Sequence, residues 1–253
     1  MATTVHPAPR AAADSYWASV RAPRYAVLFA FPLLGLYEVL AALTVGTGAG
    51  AVRNGADVVI KMAFNAVAGA YGGLAFGVTL VAVGVWLVAR DIRANGRPAG
   101  RRFAFMFAEA AVLSLLTGLV VGGLTSGLIR HASLLSAGPT AGIGPATQVV
   151  LSLGAGIYEE LLFRVLLTGT LLAAGKALFG WRAGVAGTVA VIASALIFAA
   201  FHYVGPYGDR LELASFTFRA LAGVWFSALY VLRGFGITAW THALYDVWVT
   251  VAM

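Results

Sequence analysis

The chain has 253 residues, of which 60% are hydrophobic and only 11% are charged, and its mean hydropathy is +0.88. A soluble domain has about a quarter of its residues charged, so this composition excludes a soluble enzyme and predicts an integral membrane protein. The formal net charge of +7 does not indicate nucleic-acid binding, because the basic residues follow the predicted membrane boundaries. The chain has no cysteine, which excludes disulfides, thiolate metal ligands and a cysteine nucleophile.

Long apolar stretches recur along the chain, and each is close to the roughly 20 residues that a helix needs to cross a bilayer. The stretches are continuously apolar, whereas the strands of a membrane barrel alternate in polarity. We therefore expect an all-α, polytopic membrane helical bundle with about seven transmembrane helices. The predicted helices lie near Tyr25–Val45, Phe64–Ala89, Phe103–Ile129, Ala146–Leu178, Ala183–Val204, Ala214–Leu232 and Phe235–Met253.

The basic residues predict the orientation of the bundle. With the amino terminus in the cytoplasm, eleven Lys and Arg residues fall in inside segments and four fall outside, as the positive-inside rule requires. The carboxyl terminus is then outside. The inside residues are Arg10, Arg21, Arg24, Arg90, Arg93, Arg97, Arg101, Arg102, Lys176, Arg182 and Arg233, and the outside residues are Arg53, Lys61, Arg130 and Arg210.

The chain divides into three parts on this pattern. Residues 1–24 lack the apolar core of a signal peptide and are expected to be a short mobile cytoplasmic tail. Residues 25–130 form the first transmembrane helices, and residues 145–253 form the remaining core. The sequence shows no repeat and no second soluble domain.

A few ionisable residues fall inside the predicted helices, and most of them lie in the last third of the chain. Charged groups inside a membrane protein usually face the bundle interior or a water-filled cavity and find partners there, so their clustering predicts one shared site. They are Glu38, Glu109, Glu159, Glu160, Arg164, His202, Arg219, His242 and Asp246.

The stretch GAGIYEELLFRVLLTG, residues 154–169, contains two adjacent glutamates and an arginine. Glu160 and Arg164 are four residues apart and share a helix face, so they are expected to pair. Glu159 is rotated by about 100° from Glu160 and is left as a free carboxylate. The alternative is that all three form a packing network between helices.

Two further stretches carry histidines. FAAFH places Phe198 one turn before His202, where the phenylalanine could wall a site and the histidine could equally be a hydrogen-bonded core residue. HALYD places His242 and Asp246 four apart, so that Asp246 could accept a hydrogen bond from His242, both could ligate one metal ion, or the pair could be a structural clasp. A carboxylate base with imidazoles and a further polar group is the set that peptide hydrolysis requires.

The three stretches, EExxxR, FxxxH and HxxxD in this order on membrane helices, resemble the CPBP family of intramembrane proteases, also called the CAAX prenyl protease or bacteriocin self-immunity family. The resemblance covers about residues 145 to 250, and the helices before it are similar to the variable amino-terminal part of that family. It implies an all-α membrane protease.

The resemblance also implies roles for individual residues. Glu159 would activate water, and His202, His242 and Asp246 would complete the site. This sequence departs from the prenyl proteases, which have asparagine where it has Asp246. An ionised carboxylate cannot donate a hydrogen bond to an oxyanion, so orienting His242 or binding a metal ion is the expected role of Asp246.

No cofactor is expected from this resemblance. A divalent metal such as zinc is the alternative, because two carboxylates and two imidazoles make a zinc-binding set. The ligands would be Glu159, His202, His242 and Asp246.

The depths of the two histidines conflict if their helices begin at the same level. At 1.5 Å per residue His242 lies about 10 Å from the start of its helix and His202 about 28 Å from the start of its own. We therefore expect the fifth helix to stop within the membrane near Val204, and Gly205–Leu213 to line a water-filled cavity.

The expected function is an endopeptidase acting on a membrane-embedded or membrane-adjacent peptide or protein, lipidated or transmembrane, in the plasma (inner) membrane of a prokaryote. Its partners would be the lipid bilayer and this substrate, without nucleic acid. One alternative is a proton-coupled transporter, since chains of intramembrane Glu and His also relay protons. Another is a non-catalytic immunity or binding protein of the same fold.

Overall fold

The structure is a computed structural model that describes residues 15–44, 53–129, 144–205 and 208–252. These residues form helices joined by short connections, with no strand among them. The α-helices are α1 Tyr16–Ser19, α2 Pro23–Thr44, α3 Gly55–Ala68, α4 Gly72–Asn95, α5 Gly100–Leu128, α6 Pro145–Gly154, α7 Gly169–Phe179, α8 Ala183–Phe201, α9 Leu213–Arg233 and α10 Phe235–Ala252.

Within the described ranges, six segments are long and apolar enough to cross a membrane. Large apolar side chains such as Leu43, Leu74 and Leu119 are exposed on the outside of the bundle, as expected for surfaces that face lipid. The polytopic helical fold predicted from the sequence is therefore confirmed. The six segments are Pro23–Thr44, Gly55–Asn95, Gly100–Leu128, Pro145–Phe179, Ala183–Phe201 and Leu213–Arg233.

The second predicted helix, Phe64–Ala89, has the wrong bounds. The chain is already helical from Gly55, and it bends in a 3₁₀ turn at Gly69–Tyr71 so that α3 and α4 pack against each other. With 14 residues, α3 is about 21 Å long and cannot cross a hydrocarbon core of about 30 Å. Only α4 can span by itself in this segment.

The seventh predicted helix exists as α10 but is not among the six spans. Its polar residues, including Thr238, Thr241, His242 and Asp246, lower its hydropathy. α10 packs against α2, α5, α6 and α9, and seven of its first nine residues are buried. It is the central helix of the bundle; Thr238, Thr241 and His242 are buried in it, and Asp246 is partly exposed.

Residues 15–24 contact the helical bundle. Val20 is fully buried, and the hydroxyl of Tyr16 donates a hydrogen bond to Glu109, which also pairs with Arg233. These contacts attach residues 15–24 to the bundle, while residues 1–14 lie outside the described ranges, and the mobile tail stays a prediction. The cytoplasmic location of this segment stays a prediction.

Candidate active site

The two glutamates lie where a long helical segment departs from α-helical geometry. α6 continues into π-helical turns at Ala155–Glu159 and Leu161–Thr168 before α7 begins. π-turns of this kind are rare and occur frequently at functional sites. The sequence predicted a regular helix here and did not show this feature.

Gly156 allows this segment to approach α10 closely. A Cβ atom at this position would lie 2.5 Å from the carbonyl oxygen of Ala239 and 2.5 Å from Cβ of Ala243, distances that real Cβ atoms do not reach. Since only glycine permits this contact, Gly156 brings the glutamates of one segment beside the histidine of the other.

Glu160 and Arg164 form the predicted pair. Nε of Arg164 lies 3.1 Å from Oε2 of Glu160, and both side chains are fully buried. The other carboxylate oxygen of Glu160, Oε1, accepts a hydrogen bond from Nδ1 of His242 at 2.8 Å. Glu160 therefore joins the arginine to the histidine, a link that the sequence did not predict.

Aromatic rings enclose the charged groups. The guanidinium of Arg164 lies over the ring of Phe198, 4.7 Å from its centre, and the ring of Phe226 stacks on His242 with centres 4.3 Å apart. Phe198 also contacts His202, with ring centres 4.9 Å apart. Phe198 is thus a wall between the two histidines, in agreement with one of the alternatives for the FAAFH stretch.

Glu159 faces His202. Oε2 of Glu159 lies 3.9 Å from Nε2 of His202, which is too far for a direct hydrogen bond. Nδ1 of His202 lies 2.8 Å from the carbonyl oxygen of Phe198, which can only accept, so Nδ1 carries the proton of this bond. The side chain of His202 is 25% exposed, whereas that of Glu159 is 8% exposed.

Asp246 lies on the other side of His242. Its Oδ2 is 3.5 Å from Nε2 of His242, and its side chain is 29% exposed. His242 therefore has a shorter contact with Glu160, at 2.8 Å, than with Asp246, and the role of Asp246 in orienting His242 stays a prediction. Together with His202 and His242, the cluster contains three carboxylates and one guanidinium, so its net charge is negative unless the imidazoles carry an additional proton. The carboxylates are those of Glu159, Glu160 and Asp246, and the guanidinium is that of Arg164.

The same side chains were predicted as metal ligands if a metal ion is present. In the described part of the chain, no group of three or more His, Cys, Asp or Glu side chains is arranged to hold a metal ion. Both Nδ1 atoms of His202 and His242 are already engaged in hydrogen bonds, which leaves only their Nε2 atoms for any ligand.

Two contacts from outside the predicted cluster reach the site. Nδ2 of Asn54 donates a hydrogen bond to Oε1 of Glu159 at 2.8 Å, although Asn54 lies among the helices expected to be variable. The backbone N–H of Asp209 donates to the carbonyl oxygen of His202 at 2.8 Å, and Asp209 pairs with Arg219. The only signal for Asn54 in the sequence was its place in the short polar stretch RNGAD between apolar runs.

The sequence comparisons agree with this geometry. Residues 143–248 match the family described as type II CAAX prenyl endopeptidase Rce1-like. A search of curated proteins and a search of solved structures gave no match. The matched segment contains both glutamates, both histidines and Asp246, so the resemblance indicated by the three motifs is confirmed. The match to this family supports an intramembrane protease in general.

Proposed function

We propose that the chain is an intramembrane endopeptidase in which Glu159 activates the attacking water. The observation that carries this proposal is the pairing of Glu159 with His202 across 3.9 Å, in which His202 is the more exposed of the two side chains. A general base must lie within hydrogen-bond reach of the proton that it accepts, directly or through one water molecule. Oε2 of Glu159 is buried and has no hydrogen-bond partner among the described residues, so it is free to accept a hydrogen bond from the attacking water.

The reaction follows from the atoms that face this space. Water loses a proton to Oε2 of Glu159 as its oxygen attacks the scissile carbonyl carbon. His202 or His242, when protonated on Nε2 as well as Nδ1, stabilises the oxyanion or gives the Nε2 proton to the leaving amine, and Glu159 then returns the proton that it took from water to that imidazole. The amide bond then breaks and releases an amine and a carboxylic acid.

Glu160 and Asp246 support His242 in this scheme. Glu160 holds Nδ1 of His242 and is itself held by Arg164, so the ring keeps one orientation. Asp246 contacts Nε2 from the more exposed side, where a substrate would enter. The proposed catalytic residues are therefore Glu159, His202, His242 and Asp246, with Glu160, Arg164 and Phe198 as support.

The substrate that we propose is a peptide segment at or within the membrane. The family description names CAAX prenyl endopeptidases, so a prenylated protein is one candidate and a transmembrane protein is another. The six segments that are long and apolar enough to cross a membrane support this proposal, because a substrate in the same bilayer would reach the bundle by lateral diffusion.

A comparison of membrane proteomes tests this function. Cells that produce the wild type, Glu159→Gln or Glu212→Gln would be compared for peptides whose processing changes; Glu212 is exposed and outside the cluster, so it is the matched control. We expect at least one processed peptide to disappear with Glu159→Gln and to persist with Glu212→Gln. Identical proteomes for all three proteins would contradict the proposal.

A further inference from the structure

Asn54 lies outside the segment that matches the family, yet it contacts the proposed general base. It is 7% exposed, and its Nδ2 donates to Oε1 of Glu159 at 2.8 Å. Its Oδ1 accepts a hydrogen bond from the backbone N–H of Ala56 at 2.9 Å and so caps α3. The amide oxygen of Asn54 therefore caps the helix, while its amide nitrogen binds Glu159.

A buried polar cluster holds the backbone of Asn54. The hydroxyl of Tyr37 accepts a hydrogen bond from the N–H of Asn54 at 3.2 Å and donates to Asp57 at 2.9 Å. The side chain of Asp57 is fully buried and pairs with Arg53 at 2.8 Å and Lys61 at 2.6 Å. Because Asp57 is paired with Arg53 and Lys61, these charged groups support Asn54 and are not free to pair with Glu159.

Gly154 permits the cluster to approach the segment that carries Glu159. A Cβ atom at Gly154 would lie 2.5 Å from the ring of Tyr37 and 2.8 Å from Cβ of Asn54. Any larger residue would push both side chains away. The contact between Asn54 and Glu159 is therefore built into the packing of α2, α3 and α6.

We propose that Asn54 is a positioning residue for Glu159, an inference that rests on the proposed function. By binding Oε1, the amide fixes the rotamer of Glu159 and leaves Oε2 towards His202 as the proton acceptor. Asn54 does not touch the reacting atoms. Its contact determines that Oε2 of Glu159, rather than Oε1, accepts the proton of the water molecule.

A swap of the two side chains tests the contact without any substrate. Asn54→Asp keeps the size and the helix cap but sets a second carboxylate against Glu159, so the purified protein should melt at least about 3 °C lower. Combining it with Glu159→Gln restores one carboxylate and one amide with the hydrogen bond reversed, and at least half of the loss should be recovered. No loss for Asn54→Asp alone, or an equal loss in both backgrounds, would overturn the contact.

A rate measurement tests the positioning role. Asn54→Ser keeps a good helix cap but is too short to reach Glu159, so kcat should fall at least about tenfold with KM within about twofold. The probe is the peptide whose processing depends on Glu159 in the proteome comparison. Asn95→Ser, the same change at an exposed position, is the control and should leave kcat unchanged.

The outcomes separate this inference from the function on which it rests. If Glu159→Gln abolishes cleavage while Asn54→Ser has the kcat of the wild type, the positioning role is overturned and the proposed function stands. If Glu159→Gln cleaves like the wild type, the proposed function fails, and the melting temperatures of the swap still report whether the contact exists.

Discussion

Glu159 and Glu160 are adjacent and chemically identical, but they contact different partners in this bundle. Glu160 is fully buried between Arg164 and His242, and its charge is compensated. Glu159 is held at one oxygen by Asn54 and presents the other to His202. Successive residues of a helix point in different directions. Glu160 therefore forms the structural ion pair, while Glu159 is the proposed base.

Arg164→Leu should destabilise the protein through Glu160. The change leaves a buried carboxylate without its cation, which costs about 3 to 5 kcal/mol, so little folded protein should be recovered from detergent. The double variant Glu160→Gln with Arg164→Leu removes both charges and should fold better than Arg164→Leu alone, while remaining slow because the carboxylate on His242 is lost. Size-exclusion profiles and melting curves give the comparison, and no recovery in the double variant would contradict the pairing.

A chelator should not change the rate, because the proposed reaction activates water with the carboxylate of Glu159 alone and uses no metal ion. We expect purified wild type to cleave its peptide at the same rate, within about twofold, before and after dialysis against a chelator. Loss of activity that added zinc restores would show that the zinc alternative, with Glu159, His202, His242 and Asp246 as ligands, is the correct one.

The structure brings together ionisable residues that the sequence singled out, but the sequence did not predict their contacts. Charged groups in apolar runs are conspicuous because each is costly to insert, which is why Glu159, His202 and His242 could be named in advance. Asn54 could not be found this way, since a neutral amide before a helix has the pattern of an ordinary cap. The hydrogen bond from His242 to Glu160 depends on packing between distant segments, and no local pattern encodes it.

At the scale of the elements, the π-helical turns and Gly156 decide where the glutamates lie. The extra residue in a π-turn changes the direction of the side chains that follow, and the absence of a Cβ at Gly156 lets α10 come close. Sequence periodicity predicted helices at both places, which was correct, but it assumed regular geometry. Helix ends and bends were the least accurate part of the prediction, as α3 shows.

Gly156→Ala should damage the site without touching a catalytic residue. The added methyl group would meet the backbone of Ala239 at 2.5 Å, and overpacking of this kind costs about 1 to 3 kcal/mol. Melting temperature and cleavage rate should both fall. Gly77→Ala is the control, because no atom lies within 4 Å of its added Cβ, and it should be neutral or slightly stabilising. Equal behaviour of the two variants would refute the close-approach argument.

For the whole molecule, α10 is the element that decides the topology. It has 18 residues and lies in the centre of the bundle, but it is too polar to count among the six apolar spans. The sequence prediction of an amino terminus inside and a carboxyl terminus outside requires α10 to cross. The depth of Gly205–Leu213 in the membrane also stays a prediction, and residues 206–207 of this segment lie outside the described ranges. His202 does lie near Glu159, as that prediction requires.

Reporter fusions test this topology. Fusions at Gly96 and Gly234 should report the cytoplasm, because each follows or lies beside basic residues expected inside. A fusion after Met253 should report the opposite side. If the fusions at Gly234 and Met253 report the same side, α10 does not cross the membrane and the predicted orientation of the carboxyl terminus is wrong.

The central claim is that Glu159 is the general base, and the cleavage rate of purified Glu159→Gln tests it most directly. The amide keeps the shape of the side chain and can still accept the hydrogen bond from Asn54, so the protein should melt like the wild type. Its cleavage rate should be lower by at least about 10², whereas Glu212→Gln should match the wild type. A folded Glu159→Gln protein that cleaves at the wild-type rate would contradict the account.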